Sequence, residues 1–249
     1  MSKVIVITGA GSGLGRALGE RLAADGEHVV LLGRTASKVE ALAARIGDRA
    51  MAVGCDVSSP EDVRRAFAAI AERHGRIDVL INNAAIFTPS TVAEASEEHI
   101  LGVIGANLTG AMLCTRAAIP LMPSGGQVLS VSSEAVEVPF PHLSAYQASK
   151  AGLERFTKTM HRELESLGLR ATIVRAGQMM GEEAADRELS ASLDVLGRFM
   201  EAANNDYALK LGTRPSTSYT SATNVFRFLI DQPPDMRVIS IWFDARAAE

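Results

Sequence analysis

The chain has 249 residues, of which 47% are hydrophobic, and its formal net charge is −4. This composition is typical of a folded globular protein and is too apolar for a disordered one. Acidic and basic residues are spread along the whole chain without a basic block, so we expect no nucleic-acid partner.

The cysteines and the first residues bear on compartment and membrane. Cys55 and Cys114 are the only cysteines, and neither has metal-ligand spacing, which predicts no metal site and two buried thiols in a reducing compartment. The apolar run at residues 4–7 follows the start directly, without the pattern of a signal peptide. Because no apolar run approaches the roughly 18 residues of a spanning helix, we expect a cytoplasmic protein with no membrane partner.

Short runs rich in Val, Ile and Leu alternate with longer helical patterns. The predicted strands are residues 3–8, 28–32, 50–54, 79–82, 127–132, 171–175 and 238–243. Helix periodicity is clear between them, for example at Val63, Ala66, Phe67 and Ile70. Because parallel strands need crossover connections, this alternation predicts an α/β fold: a single doubly wound domain, residues 1–249, with a seven-stranded parallel sheet flanked by helices.

Residues 177–215 interrupt the alternation before the last helix and strand. The segment is helical in composition and carries Met179, Met180 and Phe199. Near the carboxyl ends of the strands, such an insertion would form a substrate loop or lid. An ordinary pair of surface helices is an equally open interpretation.

A glycine-rich loop follows the first predicted strand directly and opens a helix. Glycines let the backbone turn tightly and approach a pyrophosphate, while the helix N-terminus offers N–H groups and a positive dipole end. In this strand–loop–helix context the pattern predicts a dinucleotide site rather than a plain turn. The expected cofactor contacts are Gly9, Gly11, Ser12, Gly13, Leu14 and Gly15.

The loop has the spacing Gly-x-x-x-Gly-x-Gly and is preceded by Thr8. It resembles the loop of the short-chain dehydrogenase/reductase family. That resemblance implies a Rossmann-type fold and hydride transfer between a nicotinamide dinucleotide and an alcohol or carbonyl group. It also implies a homotetramer or homodimer built on the helices that contain Asn107 and Tyr146.

The end of the second strand bears on the choice between NAD(H) and NADP(H). An acid there would bind the ribose 2′-hydroxyl of NAD and repel the 2′-phosphate of NADP. Gly33 stands at this position, followed by Arg34 and Thr35, whose guanidinium and hydroxyl suit a phosphate. We therefore expect NADP(H) to be preferred, with NAD(H) possible; a solvated surface role for Arg34 is the alternative.

The resemblance implies further cofactor contacts after the third and fourth strands. Asp56 would bind the adenine amino group and Val57 would flank the ring, although Asp56 also suits a turn or a cap. Asn83 and Ala84 lie in a segment similar to the family's Asn-Asn-Ala-Gly, which lines the cofactor. Ala85 replaces the last glycine of that motif.

Tyr146 and Lys150 lie four residues apart in a helical pattern, so they share one helix face. A free tyrosine has a pKa near 10, too high for proton transfer at neutral pH. A nearby ammonium favours the phenolate, so we expect Lys150 to lower the pKa of Tyr146. A chance surface pair is the alternative.

The resemblance extends to the remaining residues of a catalytic tetrad. Ser133, thirteen residues before Tyr146, has the placement of the family's catalytic serine, which polarises the carbonyl; Ser132 is a competing candidate with poorer spacing. Asn107 matches the asparagine that would hold a water between Lys150 and solvent. Tyr146 would then act as general acid or base, while Lys150 would also bind the nicotinamide ribose.

The segment after the sixth strand departs from the family pattern. The family has Pro-Gly and then a threonine that contacts the carboxamide, whereas this chain has Ala176, Gly177 and Gln178. Gly177 stays an expected cofactor contact, and Gln178 could replace the threonine. Apolar residues such as Phe140 lie nearby in the sequence and suit a substrate with apolar groups. Together, the glycine loop, Arg34 and the tetrad predict an NADP(H)-dependent oxidoreductase acting on a secondary alcohol or ketone. A cofactor-binding regulator or scaffold without turnover is the alternative.

Overall fold

The computed structural model describes residues 2–137, 139–180 and 216–245. Its strands are β1 (Val4–Thr8), β2 (His28–Gly33), β3 (Ala50–Gly54), β4 (Val79–Asn82), β5 (Gln127–Ser133), β6 (Arg170–Ala176), β7 (Met179–Met180), β8 (Thr217–Ser218) and β9 (Ser240–Phe243). Within these residues, seven strands form one parallel sheet in the order β3-β2-β1-β4-β5-β6-β9. The predicted doubly wound α/β fold is confirmed.

Helices connect most of the successive strands of the parallel sheet. They are α1 (Gly13–Ala24), α2 (Ala36–Ile46), α3 (Pro60–His74), α4 (Glu97–Ile104), α5 (Gly110–Ala118), α6 (Ser144–Leu164) and α7 (Tyr219–Ile230). A π-helical turn at Gly105–Thr109 joins α4 to α5. The chain therefore runs almost continuously as helix from residue 97 to residue 118.

Local sequence explains how these helices begin and end, as α3 shows. The Ser59 side chain accepts a hydrogen bond from the backbone N–H of Asp62, and Pro60 occupies the first turn. Gly75 ends the helix at a φ of +68°. The apolar positions picked out by the periodicity, Val63, Ala66, Phe67 and Ile70, are all buried.

The sheet is covered on both faces, which explains the continuous apolar runs in its strands. Along β1, Ile5 and Ile7 belong to one apolar cluster with Phe226 of α7. Val4 and Val6, which alternate with them, belong to a second cluster on the opposite face. Every residue of β1 is buried as a result.

The sheet order reverses between β1 and β4. From β1 the chain moves outward to β2 and β3, whereas β4 starts the opposite half of the sheet. At such a switch point the connecting loops diverge and leave a crevice outside the carboxyl ends of the strands. The fold therefore provides a ligand site at this edge.

The predicted lid at residues 177–215 lies largely outside the described residues, as does Phe199. At its borders, β7 pairs with β8 in a small parallel sheet. These two strands bring the chain on either side of residues 181–215 together, beside the carboxyl end of β6.

One helical segment differs from the expectation that no part of the chain is long and apolar enough to span a membrane. Glu97–Leu121 is 25 residues long, its most apolar window has a mean hydropathy of 1.3, and by length and composition alone it could cross a membrane. No uninterrupted apolar run reveals it, because polar residues such as Asn107 divide the segment. In this fold Asn107 is 1% exposed, whereas Leu101 is 70% exposed.

Candidate active site

A cavity of about 760 Å³, here called the cleft, opens at the carboxyl ends of the central strands. Most residues expected from the sequence line it: Gly9, Ser12, Gly13, Leu14, Arg34, Asp56, Val57, Asn83, Ala84, Ser133, Tyr146, Lys150 and Gly177. Gly11, Gly15, Thr35 and Asn107 are expected site residues that do not form its wall. The fold thus gathers into one cleft residues that are widely separated in sequence.

Close backbone packing explains the glycines of the loop between β1 and α1. Gly9 has a φ of +68°, and a Cβ added there would lie 2.7 Å from the Cα of Ala84. A Cβ on Gly15 would lie 2.4 Å from the carbonyl oxygen of Gly9. Side chains are excluded at both positions, so the loop packs tightly at the N-terminus of α1, and Gly9 presents backbone to the cleft.

Hydrogen bonds tie the end of β4 to this loop. The backbone N–H groups of Asn83 and Ala84 donate to the hydroxyl of Thr8 at 2.9 and 3.0 Å. The Asn83 amide donates to the carbonyl of Thr8 at 2.9 Å. Ala85 does not have a positive φ, so its replacement of the family's glycine causes no backbone strain.

Packing at the end of β2 accounts for the missing acid. A Cβ on Gly33 would lie 2.7 Å from a methyl group of Val39 in α2. The next side chain, Arg34, is exposed and lines the cleft. Thr35 occupies the N-cap position of α2 but makes no side-chain cap. The rim of the cleft at this point carries a cation and no carboxylate.

Asp56 combines the two roles weighed for it. Its carboxylate accepts hydrogen bonds from the backbone N–H and the hydroxyl of Ser58 at 2.9 and 2.6 Å. The turn interpretation therefore holds. Asp56 also lines the cleft beside Val57, which leaves the adenine contact as a prediction.

Tyr146 and Lys150 both face the cleft from α6. The Lys150 ammonium nitrogen lies 5.9 Å from the centroid of the Tyr146 ring and donates a hydrogen bond to the carbonyl of Val131 at 2.7 Å. The Tyr146 side chain forms a hydrogen bond with that of Ser133. Phe87 packs edge-on against the tyrosine ring at 5.0 Å between centroids. Phenol, hydroxyl and ammonium thus share one wall.

The acidities of these groups differ from the expectation based on charge alone. Burial raises the pKa of Tyr146; its hydrogen bond with Ser133 opposes the change and the charge of Glu134 reinforces it. Burial also lowers the pKa of Lys150 to about 8. The expected lowering of the tyrosine pKa by the ammonium is not seen, and desolvation of the phenolate sets the direction instead.

The two serines at the end of β5 have different partners. Ser132 donates a hydrogen bond to the carboxylate of Glu154 at 2.8 Å. Ser133 accepts one from the backbone N–H of Ala135 at 3.2 Å and bonds to Tyr146. The geometry therefore brings Ser133, rather than Ser132, to the phenol.

Asn107 lies behind the cleft in the π-helical turn. Its side-chain oxygen accepts from the backbone N–H of Ile86 at 2.7 Å, and its amide donates to the Ile86 carbonyl at 3.1 Å and the Ser149 hydroxyl at 3.0 Å. The helix is irregular at this point, with a π-helical turn at Gly105–Thr109. A water relay through this residue stays a prediction.

Two cleft residues lacked a usable sequence signal. Tyr219 of α7 lines the cleft, and a Cβ on Gly13 would lie 3.4 Å from its hydroxyl; no local pattern places α7 beside this loop. Phe87 follows the β4 loop without a motif of its own.

Gln178, considered from the family comparison, lines the cleft with a buried side-chain oxygen that has no hydrogen-bond donor among residues 2–137, 139–180 and 216–245.

The other titratable groups do not suggest metal chemistry. In the described part of the chain, no group of three or more His, Cys, Asp or Glu residues is arranged to hold a metal ion. Cys55 lines the cleft, and burial raises the pKa of its thiol to about 11. This cysteine is therefore a protonated, unreactive thiol at neutral pH.

The part of the chain that carries the glycine loop and the Tyr146–Lys150 helix matches a known family. Residues 3–189 match the family model described as short chain dehydrogenase. This chain belongs to the short-chain dehydrogenase family. It is an oxidoreductase of that family, in which NAD(P)-dependent hydride transfer is general.

Individual relatives agree with this assignment. Carbonyl reductase family member 4 from Danio rerio is 34% identical over 82% of this chain and 87% of its own length. Trans-4-hydroxycyclohexanecarboxylate dehydrogenase from Sinomonas cyclohexanicum is 34% identical over 88% of this chain and 89% of its own. The structure of 3-ketoacyl-(acyl-carrier-protein) reductase from Brucella melitensis complexed with NADH superimposes with a TM-score of 0.79 at 26% identity, covering 96% of each chain.

Proposed function

We propose that this short-chain dehydrogenase is an NADP(H)-dependent oxidoreductase acting on a secondary alcohol/ketone pair, with Tyr146 as general acid and base. The observation that carries the proposal is the shared wall of one cleft. Ser133, Tyr146 and Lys150 line the same cavity as the glycine loop at Gly9. A proton-transfer group and a dinucleotide cradle therefore face the same space.

The cleft fits a nicotinamide dinucleotide. Glycines at positions 9 and 15 let the loop pack closely on itself and on Ala84, which supports a tight loop at the N-terminus of α1, where a pyrophosphate would bind. The buried side-chain oxygen of Gln178 has no donor within the part of the chain that the structure describes, and it is suited to accept a hydrogen bond from a carboxamide. When bound, the nicotinamide supplies or accepts the hydride.

Side chains of the cleft bind the substrate and transfer the proton. Ser133 and Tyr146 hold the substrate oxygen between their hydroxyl groups. Because burial keeps the phenol of Tyr146 protonated at neutral pH, it donates its proton to the carbonyl oxygen during reduction. In the oxidative direction it accepts the proton of the alcohol. Lys150, buried beside the phenol, supports the phenolate formed on proton transfer and binds the nicotinamide ribose.

The preference for NADP(H) rests on Arg34. Its guanidinium is exposed at the rim, and packing of Gly33 against Val39 leaves no room for an acid. Charge-assisted hydrogen bonds of about 1.5–3 kcal/mol correspond to roughly 10- to 100-fold in affinity.

Fluorescence titrations with NADPH and NADH test this preference. We expect NADPH to bind more tightly, and Arg34→Ala to weaken NADPH by roughly tenfold or more while NADH changes little. Arg64→Ala, an exposed arginine on α3, is the matched control. Tighter binding of NADH to the unaltered chain would contradict the preference.

The substrate half of the cleft favours a ligand with apolar groups. Phe87, Phe140, Leu143 and Met179 line it. We therefore expect a panel of ketones with apolar substituents to be reduced, followed by the loss of NADPH absorbance. If none of these ketones and none of the corresponding alcohols reacts, the proposed activity is wrong.

Assembly, domain organisation and location follow as further parts of the proposal. The predicted substrate lid, residues 177–215, lies largely outside the described residues. We propose a single domain that assembles as a homotetramer or homodimer through the helices around Asn107 and Tyr146. Apolar exposure on the helical segment supports this, since Ile100 is 39% and Leu101 70% exposed. Light scattering should show an oligomer that Leu101→Arg dissociates.

A cytoplasmic location agrees with the free thiols of Cys55 and Cys114.

A further inference from the structure

A buried ion pair joins α6 to β6 directly behind the cleft. Arg175 donates to both oxygens of the Glu154 carboxylate, from Nε at 2.9 Å and from Nη2 at 2.7 Å. Ser132 donates to the same carboxylate at 2.8 Å. Glu154 is only 4% exposed. The two parallel hydrogen bonds fix the orientation of the guanidinium relative to the carboxylate as well as the distance between them.

The guanidinium of Arg175 has two further contacts. It donates to Glu137 at 2.6 Å, and it lies 5.4 Å from the ring centroid of Trp242. Ser132, Arg175 and Trp242 are in register across β5, β6 and β9, so their side chains lie on the same face of the sheet. The pair thus ties three neighbouring strands to one helix.

Stability alone does not account for such a pair. Removing two charges from water is costly, and well-packed apolar side chains often do as well. The pKa of Glu154 is lowered overall. Burial alone would raise it, but the hydrogen bonds from Arg175 and Ser132 more than offset that effect, so the carboxylate stays ionised at neutral pH. The pair fixes the position of α6 relative to the ends of β5 and β6.

Each partner of the pair lies next to a residue of the proposed site. Ser132 precedes Ser133, and Glu154 lies one helical turn beyond Lys150. Arg175 precedes Ala176 and Gly177 at the end of β6.

We propose that Glu154 and Arg175 are positioning residues that hold the Tyr146–Lys150 helix against the ends of β5 and β6. This rests on the proposed function, because the geometry that they set is that of Tyr146 against Ser133. Misplacement by about 1 Å can cost up to about 100-fold in rate. Loss of the pair should therefore lower kcat while leaving the glycine loop, and with it cofactor binding, intact.

Glu154→Gln tests the proposal, since it preserves volume and removes the charge. A matched control exists at the opposite end of the sheet, where Arg227 pairs with Glu27 at 2.9 Å and the two side chains are 14% and 11% exposed. Glu27→Gln removes a similar half-buried pair far from the cleft. Arg175→Lys is the conservative variant that keeps the charge but not the two parallel hydrogen bonds.

The readouts are kcat, the NADPH dissociation constant and the unfolding temperature. We expect Glu154→Gln to lower kcat about tenfold or more with the NADPH dissociation constant unchanged within threefold. Arg175→Lys should retain an intermediate kcat. Glu27→Gln should lose comparable stability with kcat unchanged. A Glu154→Gln enzyme whose kcat stays within twofold of the unaltered enzyme would overturn the proposal.

Failure of the proposed function gives a different result, because the unaltered chain would then bind no NADPH or reduce no carbonyl compound. Backbone hydrogen exchange at residues 131–134 then tests the positioning. Faster exchange in Glu154→Gln than in Glu27→Gln supports it, and equal exchange contradicts it. Trp242, the only tryptophan, lies against residue 175, so its fluorescence reports the packing around that position in each variant. Should Glu154→Gln not fold, Arg175→Lys carries the test.

Discussion

The two halves of the cleft are built by different means. The half formed by the ends of β1, β2 and β4 depends on side chains that are absent, since Gly9 and Gly15 let backbone meet backbone. The half formed by β5, β6 and α6 depends on polar side chains that are buried. Lys150 is 2% exposed and Glu154 4%.

This difference has an energetic consequence. A glycine cradle costs mainly chain entropy, whereas buried polar groups incur desolvation that only their hydrogen bonds offset. The catalytic half should therefore contain residues whose removal stabilises the protein while reducing its activity. In the cofactor half, substitutions should weaken binding and stability together.

Lys150→Met should produce the largest effect among the variants that compare the two halves, and it tests the catalytic half. We expect kcat to fall about 100-fold or more, because an ammonium that supports proton transfer is lost. At neutral pH the free energy of unfolding should rise, since a buried charge is removed. Urea unfolding measures the second effect and a steady-state assay the first.

The pH dependence of that stability difference follows from the lysine pKa. Burial lowers the pKa from 10.5 to about 8, so the folded chain binds fewer protons than the unfolded chain between these values. The penalty for Lys150, up to about 3 kcal/mol, is therefore present below pH 8 and fades as the pH rises toward 10.5. A Lys150→Met variant that is less stable than the unaltered chain at pH 7 would break the comparison.

Gly9→Ala tests the cofactor half. Gly9 and Gly75 share a φ of +68°, but a Cβ on Gly75 meets nothing within 4 Å, whereas one on Gly9 clashes with Ala84. Both variants therefore place a side chain at the same positive φ, but only the one at Gly9 pushes against the loop after β4. We expect NADPH affinity to fall at least about tenfold in Gly9→Ala and not in Gly75→Ala. Equal affinities in a fluorescence titration would show that the loop is not the cradle.

Gln178→Leu should give a smaller effect and lies where the two halves meet. Its buried oxygen has no donor in the described ranges, so leucine should raise the unfolding temperature of the ligand-free protein. Loss of a hydrogen bond of about 1 kcal/mol should weaken NADPH roughly fivefold. Gln232→Leu, at the end of α7 remote from the cleft, is the control. Unchanged affinity in Gln178→Leu would remove Gln178 from the cofactor contacts.

Much of the fold could be predicted from the sequence because apolar runs mark strands that are buried on both faces. The boundaries were less predictable, since partner strands decide them. Strand β5 reaches Ser133 because it pairs with Ala176 of β6, and β9 begins only at Ser240, where pairing with Ile173 starts. Neither partner is visible in a local pattern.

The site shows the same division. Glycine positions could be predicted, because only glycine permits those contacts. The Glu154–Arg175 pair could not, since its members are 21 residues apart and meet only through the β5–α6–β6 packing. The raised pKa of Tyr146 was missed for a related reason, because sequence spacing shows the neighbouring cation but not the burial of the phenol.

Carbonyl reduction by Tyr146→Phe, with NADPH binding measured on the same preparation, tests the central claim most directly. Phenylalanine keeps the ring that packs against Phe87 and removes only the hydroxyl. The account predicts that turnover falls by about 1,000-fold while the NADPH dissociation constant changes less than threefold. Turnover close to that of the unaltered enzyme would contradict the assignment of Tyr146 as the proton-transfer group.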